Sequence, residues 1–181
     1  MNPAPISSGT NKPRSFWPAT LLFVLFAISQ GNLALILDPL SPNFFAMQFA
    51  FTPERYAEIL QAWGPDGIAR YRSHFAFDLL HPLLFGAFGW VVARTSPLFE
   101  GVSPARERLM SWLLPWAAGL DYIENSCQLK LLSIPPGTHD WMIPVSATCA
   151  TIKWGLAAAF VVGLVWRLIA WLRGTTRTTT G

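Results

Sequence analysis

The sequence predicts an all-α fold: a four-helix transmembrane bundle with both termini cytoplasmic and a short amphipathic helix in its first extracytoplasmic loop. Three observations carry that prediction. Of 181 residues, 52% are hydrophobic and 13% charged, against about 25% charged in an ordinary soluble chain. Nine tryptophans and thirteen phenylalanines exceed what one small water-facing domain buries. The apolar residues also gather in four stretches close to the roughly 20 residues that a bilayer core requires of a helix. The same composition excludes a disordered chain, a collagen-like rod, a coiled coil and a disulfide scaffold. Cys127 and Cys149 form no Cys-x-x-Cys pair, so thiol redox chemistry and zinc-finger sites have no support.

The chain opens on a tail rich in Pro, Ser and Asn, 1–15, expected to be disordered. The first span runs from about Phe16 to Leu37. Lys12 and Arg14 precede it as in a signal peptide, but the apolar stretch is too long and no clean small-x-small site follows, so an uncleaved anchor is expected. The second span runs from about Phe75 to Ala93, where Arg94 stops it, the third from about Leu109 to Cys127, and the fourth from about Met142 to Trp166. The fourth continues as an apolar and basic exit through Trp171 and Arg173, which suits an interface. One membrane domain therefore covers 16–173, and 174–181 forms a second tail expected to be disordered.

The long first loop has its own structure. Thr52-Pro53-Glu54 reads as a helix start: a capping hydroxyl, a proline in the first turn and an early acid. Tyr56, Ile59, Leu60 and Trp63 follow at helical spacing, and Gly64-Pro65 stops the run. This helix is expected to lie on the outer membrane face, and Pro65-Asp66-Gly67 to begin the long second helix outside the bilayer. Orientation follows from the basic residues. Lys12, Arg14, Arg94, Arg106, Arg108, Arg167, Arg173 and Arg177 fall on one side, and Arg55, Arg70, Arg72 and Lys130 on the other. The richer side is cytoplasmic. The net charge of +3 is scattered at span ends, with no basic patch to track a nucleic-acid backbone.

Ionisable groups inside spans cost about 2.5–3.5 kcal/mol each at the bilayer centre on insertion scales, so they mark function. In the second helix His74, Asp78 and His81 recur at i, i+4, i+7. In the third helix, Asp121, Glu124, Asn125 and Gln128 recur at i, i+3, i+4, i+7, so each set shares a helix face. The fourth span contributes Lys153, and the first Gln30, with Asp38 at its end. The inner halves of the second and third spans are apolar, so polarity is concentrated in the outer half of the bundle. Asp78, Asp121 and Glu124 are the candidate catalytic acids. Asp38, His81, Asn125, Lys153 and Gln30 are candidate ligand-binding residues. Lys153 lies roughly 15 Å into its span, too deep to reach the interface comfortably, so it is expected to face Asp121, with Asp78 as second choice. The His and carboxylate set has enough donors for a divalent ion, but the paired Glu-x-x-His signature of di-metal bundles is absent. No metal or cofactor is expected. There is no Gly-x-Ser-x-Gly elbow, phosphate loop or dinucleotide fingerprint.

The stretch from Tyr56 to Leu84, followed by Asp121-Tyr-Ile-Glu-Asn125, resembles a group of uncharacterised bacterial four-helix membrane proteins with a D-x-x-x-P second helix and a D-x-x-E-N third helix. That resemblance implies a four-helix inner-membrane protein and fixes no activity. A fainter similarity, carried by Asp38 and by Asp78 before Pro82, is to the EXPERA family of sterol isomerase-like proteins and the sigma-2 receptor. It implies acids ending the first helix and preceding a proline in the second.

Three functions compete on these residues. The leading one is a polar acidic pocket in the outer half of the bundle that binds or acts on a small lipid-like or cationic amphiphilic ligand. Acid–base chemistry there requires one carboxyl protonated and one ionised. The second is a proton- or cation-coupled transporter subunit, the third an assembly or chaperone subunit without catalysis. Membrane lipids are the expected partners, beside a small hydrophobic ligand, and the reading allows a homo-oligomer. The charge count makes one prediction on its own. In a bacterial inner membrane, a cysteine probe placed between Asp38 and Arg72 should label from the non-cytoplasmic side, and one near Arg106 only after permeabilisation. The reverse pattern would invert the topology.

Overall fold

The structure, a computed structural model, describes residues 14–178, with side chains to residue 173. All regular structure among the described residues is helical: α1 Trp17–Leu37, α2 Phe44–Gln48, α3 Pro53–Asp78, α4 His81–Thr95, α5 Pro104–Leu131 and α6 Met142–Thr178. A single turn of tighter helix, Pro97–Phe99, joins α4 to α5. The expectation of disordered ends falls largely on 1–13 and 179–181, outside the described residues. At the other tail, α6 runs on to Thr178, beyond the expected exit.

Local chemistry explains most boundaries. Thr52 Oγ1 accepts from the Arg55 amide at 3.2 Å and Pro53 opens α3, the N-terminal signature read in the sequence. Gly64 then leaves helical geometry at φ 61°, ψ −174°, a conformation that suits a residue without Cβ. The stop at Gly64-Pro65 is thus a break inside α3, after which the helix resumes toward Asp78. α2 was not foreseen; its signal is Asn43, whose side chain caps the Ala46 amide at 3.3 Å.

The second expected span, about 75–93, is not one helix. The chain breaks at Leu79-Leu80, and α3 and α4 meet at a bend of 42°. Pro82 is the cause: it has no amide hydrogen for the Asp78 carbonyl and its ring crowds that oxygen. Tyr122 of α5 donates its hydroxyl to the neighbouring Leu79 carbonyl at 2.7 Å, satisfying one of the groups the break sets free. The shared face of His74, Asp78 and His81 ends with the break.

α5 packs between α4 and α6, and α1 lies along α4 and reaches α3. At the end near the termini, Val92, Leu114 and Phe160 close the bundle with Ala19. Helices approach tightly here: a Cβ on Gly89 would stand 2.6 Å from Leu114 Cβ, and one on Gly163 would stand 2.7 Å from the Met110 thioether. Arg14 pairs with Glu107 at 2.6 Å and Arg94 with the same carboxylate at 3.5 Å, tying the segment just ahead of α1 to α4 and α5. At the opposite end the loop helices form a cap. Tyr56, Ile59 and Trp63 are buried with Met47, Leu40 and Ile143, so the amphipathic face turns into the protein. The Trp63 indole donates to the Pro42 carbonyl at 2.6 Å. The Tyr56 hydroxyl is buried without a hydrogen-bond partner, and burial pushes its phenol well above the ordinary range.

Among the described residues two helices are long and apolar enough to cross a membrane, Trp17–Leu37 and Met142–Arg173, or three if the bent α3–α4 pair is one span. Large side chains point outward along them, with Leu35 78%, Val162 69% and Trp166 72% exposed. Such surface is excessive for water and ordinary for lipid. α5 is not among these candidates: its Arg106-Glu107-Arg108 start and its acidic face lower its hydropathy. The close approach of α4 to α5 is testable. Gly89→Ala should cost about 1–3 kcal/mol through overpacking against Leu114. Gly119→Ala, which meets nothing within 4 Å, should be neutral or gain up to about 1 kcal/mol of helix propensity. Thermal melts in detergent compare the two, and equal losses would contradict the packing.

Candidate functional site

Three helices bring the buried polar groups together. On α5 the 3–4 spacing puts Asp121, Glu124 and Gln128 on the face turned to α6, where Ser146 and Lys153 project inward. All five are buried, Glu124 at 1% and Asp121 at 4% exposure. The Lys153 ammonium donates to Asp121 Oδ1 at 2.6 Å and to Glu124 Oε2 at 2.6 Å. Its Nζ also stands 5.6 Å from the centroid of the Trp154 ring, within range of a cation–π contact. Trp154 is oriented by its own indole hydrogen bond to Gln48 Oε1 at 2.9 Å, which ties the cap helix α2 to this part of α6. One turn beyond Glu124, the Gln128 amide donates to Ser146 Oγ at 2.9 Å, while Gln128 Oε1 is buried without a partner.

Asp78 ends α3 directly beside this group. Its Oδ2 accepts from the Asn125 amide at 2.8 Å and lies 3.8 Å from His74 Nε2. The Tyr71 carbonyl takes the hydrogen on His74 Nδ1, so Nε2 is the free ring nitrogen, an acceptor when the imidazole is neutral and a donor when it is protonated. Asp78 is therefore held by an uncharged amide and a titratable ring, whereas Asp121 and Glu124 share a lysine. Three buried carboxyls thus share the site with a single lysine ammonium, which contacts only Asp121 and Glu124. Full ionisation would leave excess negative charge in a dry site, so the arrangement calls for protons or a bound cation.

Of the sequence-predicted residues, Asp78, Asp121, Glu124, Asn125 and Lys153 come together. His81 does not join them through hydrogen bonds: past the break its Nδ1 stands 3.0 Å from Ser29 Oγ of α1. Its ring lies 5.2 Å from that of Phe26. Gln30 on α1 and Asp38 just past its end are exposed, and neither is among the residues hydrogen-bonded in the cluster. Sequence reasoning missed Ser146 and Tyr122. Ser146 precedes Lys153 by two helical turns, a spacing that points to it. Tyr122 faces the break and not the acids, so no pattern marks it. Among the described residues no group of three His, Cys, Asp or Glu is arranged to hold a metal ion. Comparison with protein-family models, curated proteins and solved structures finds no match to this chain.

The shared lysine makes the cluster's energetics asymmetric. Lys153→Met should destabilise by about 3–5 kcal/mol, because it strands two buried carboxylates. Adding Asp121→Asn should recover part of the loss, and adding Glu124→Gln as well should recover most of it, since the desolvation penalties vanish together. Melting temperatures in detergent measure this series, and strictly additive losses would mean that the three groups do not act as one.

Proposed function

We propose that the chain is a four-pass protein of the bacterial inner membrane, with both termini cytoplasmic, that binds a small cationic amphiphile entering from the outer leaflet. In this reading the bent α3–α4 pair and α5 serve as the second and third spans beside α1 and α6. The basic residues at the terminal end, Arg14, Arg94, Arg106 and Arg108, support the orientation.

The observation that carries the ligand class is Asp78. It is a buried carboxylate with no lysine or arginine beside it, placed where α3 breaks, next to Leu79 and Leu80, which are 67% and 56% exposed on the bundle surface. An ammonium arriving along the lipid would meet Asp78 first, and its alkyl chain would lie against these leucines. Asn125 and His74 orient the acceptor, and the Asp121–Lys153–Glu124 group holds α5 and α6 in register behind it. Because Asp121 and Glu124 are tied to the lysine, Asp78 is the group with capacity for a foreign cation. The reading is one of binding. A polar relay toward Arg94 is disfavoured by the close-packed layer of Gly86, Gly89, Leu114 and Phe160.

Equilibrium binding of a long-chain alkylammonium to the chain in lipid nanodiscs tests this. Asp78→Asn should weaken binding by about 10–100-fold, the range of a lost charge-assisted hydrogen bond. Glu100→Gln, exposed in the loop before α5, should leave it unchanged. Equal affinities for wild type and Asp78→Asn would remove Asp78 from the site.

A further inference from the structure

Where α1 ends against the second half of α3, an open cleft of about 560 Å³ lies apart from the acidic cluster. Leu40 and Trp63 give it an apolar floor, and Asp66, Arg70 and Ser73 line its wall. The floor is close-packed: a Cβ on Gly67 would stand 2.7 Å from Trp63 Cβ and 3.4 Å from Leu40. Asp66 and Arg70 are four residues apart on one helix, a spacing that brings side chains to about 5–6 Å at Cβ and within reach of pairing. Here they do not: among the described residues the ion pairs are made by other groups. Arg70 instead donates one N–H to the Ile36 carbonyl in the last turn of α1, at 3.3 Å, and keeps its other donors. The Ser73 hydroxyl donates to the Arg70 carbonyl at 2.8 Å, which leaves its oxygen able to accept.

We infer that this cleft binds a phosphoethanolamine group. The guanidinium offers a planar fork for two phosphate oxygens. The Asp66 carboxylate, one turn from Arg70, accepts from a primary ammonium, whose three hydrogens suit short, directed bonds. Separated opposite charges on one wall match a zwitterion better than either charge alone, because a simple anion leaves Asp66 opposed and a simple cation leaves Arg70 opposed. The apolar floor of Trp63 and Leu40 accommodates the carbon chain that follows the phosphate. The same headgroup chemistry comes from two sources, a phosphatidylethanolamine of the surrounding leaflet or free phosphoethanolamine. The inference uses none of the residues assigned to the cationic amphiphile.

Native mass spectrometry and thermal melts of the full chain in mixed-lipid nanodiscs test it. Phosphatidylethanolamine should be retained and should raise the melting temperature. Phosphatidylcholine, whose ammonium has no N–H, should bind about ten-fold more weakly. Arg70→Gln and Asp66→Asn should each reduce phosphatidylethanolamine binding about ten-fold, the size of one lost charged contact. Asp66→Asn should strengthen phosphatidylglycerol binding, because it removes the carboxylate that opposes a simple anion, and that binding also reports that the variant is folded. Competition by free phosphoethanolamine would support the headgroup alone as the ligand, and its failure to compete would support the intact lipid. Asp78→Asn should leave every one of these results as in the wild type, so that failure at Asp78 and failure here are distinguishable. Equal retention of phosphatidylethanolamine and phosphatidylcholine, or a preference that survives both cleft variants, would overturn the inference.

Discussion

The Lys153 ammonium between Asp121 and Glu124 is the interaction on which the rest of the polar architecture depends. Both contacts are 2.6 Å and all three side chains are buried. Leaving any one of them unpaired in such surroundings costs several kcal/mol, so the pairing specifies how α5 and α6 face each other more sharply than their apolar contacts do. Interchangeable Leu and Val surfaces tolerate small rotations; a doubly bonded ammonium does not. Gln128 and Ser146 extend the same register by a further turn, and the Trp154–Gln48 bond carries it into the cap. The cap helices are thus positioned through the charged group as well as through their own core of Met47, Ile59 and Trp63.

The second constraint is the break before Pro82. A continuous helix from Phe75 to Ala93 would keep Asp78 and His81 nearly on one face. The bend separates them, sending His81 to Ser29 of α1 and leaving Asp78 at a helix end beside Asn125. A carboxylate at a break has neighbours on two helices and an open side, an arrangement that an uninterrupted helix interior does not provide. The polar cluster and the break together concentrate unsatisfied capacity at one end of the bundle. The other end is closed by glycine contacts that admit no extra methyl group at Gly89.

Much of this was legible in the sequence, for identifiable reasons. Thr52-Pro53 and Gly64-Pro65 are local signals and act where they stand. The 3–4 spacing of Asp121, Glu124 and Gln128 holds because α5 is unbroken around them, and depth along a helix axis sufficed to bring Lys153 to Asp121. What failed were inferences that need a neighbour or an unbroken helix. A proline inside an apolar run reads equally as a kink or a break, and the choice depends on whether something like the Tyr122 hydroxyl receives the freed carbonyl. α1 is apolar on every side, so its sequence does not say which face meets the bundle; Gln30 and Asp38 turned out to lie on the exposed side. α2 is too short for periodicity, and only its Asn43 cap announces it.

The same pairing bears on how α5 relates to a membrane. Taken alone it is too polar to count among the spanning helices, and its two buried acids would each add a cost of the order of 2.5–3.5 kcal/mol near the bilayer centre. Lys153, alone on α6, would add a similar penalty. Brought together, the opposite charges neutralise one another in part and satisfy each other's hydrogen bonds, so the cost of the pair of helices is smaller than the sum of the two taken singly. The short connection between Leu131 and Met142 keeps them adjacent along the chain. In a bilayer, then, α5 and α6 are favourable as a hairpin and unfavourable as independent helices. The residues that mark the candidate site are also the ones that would make α5 compatible with lipid.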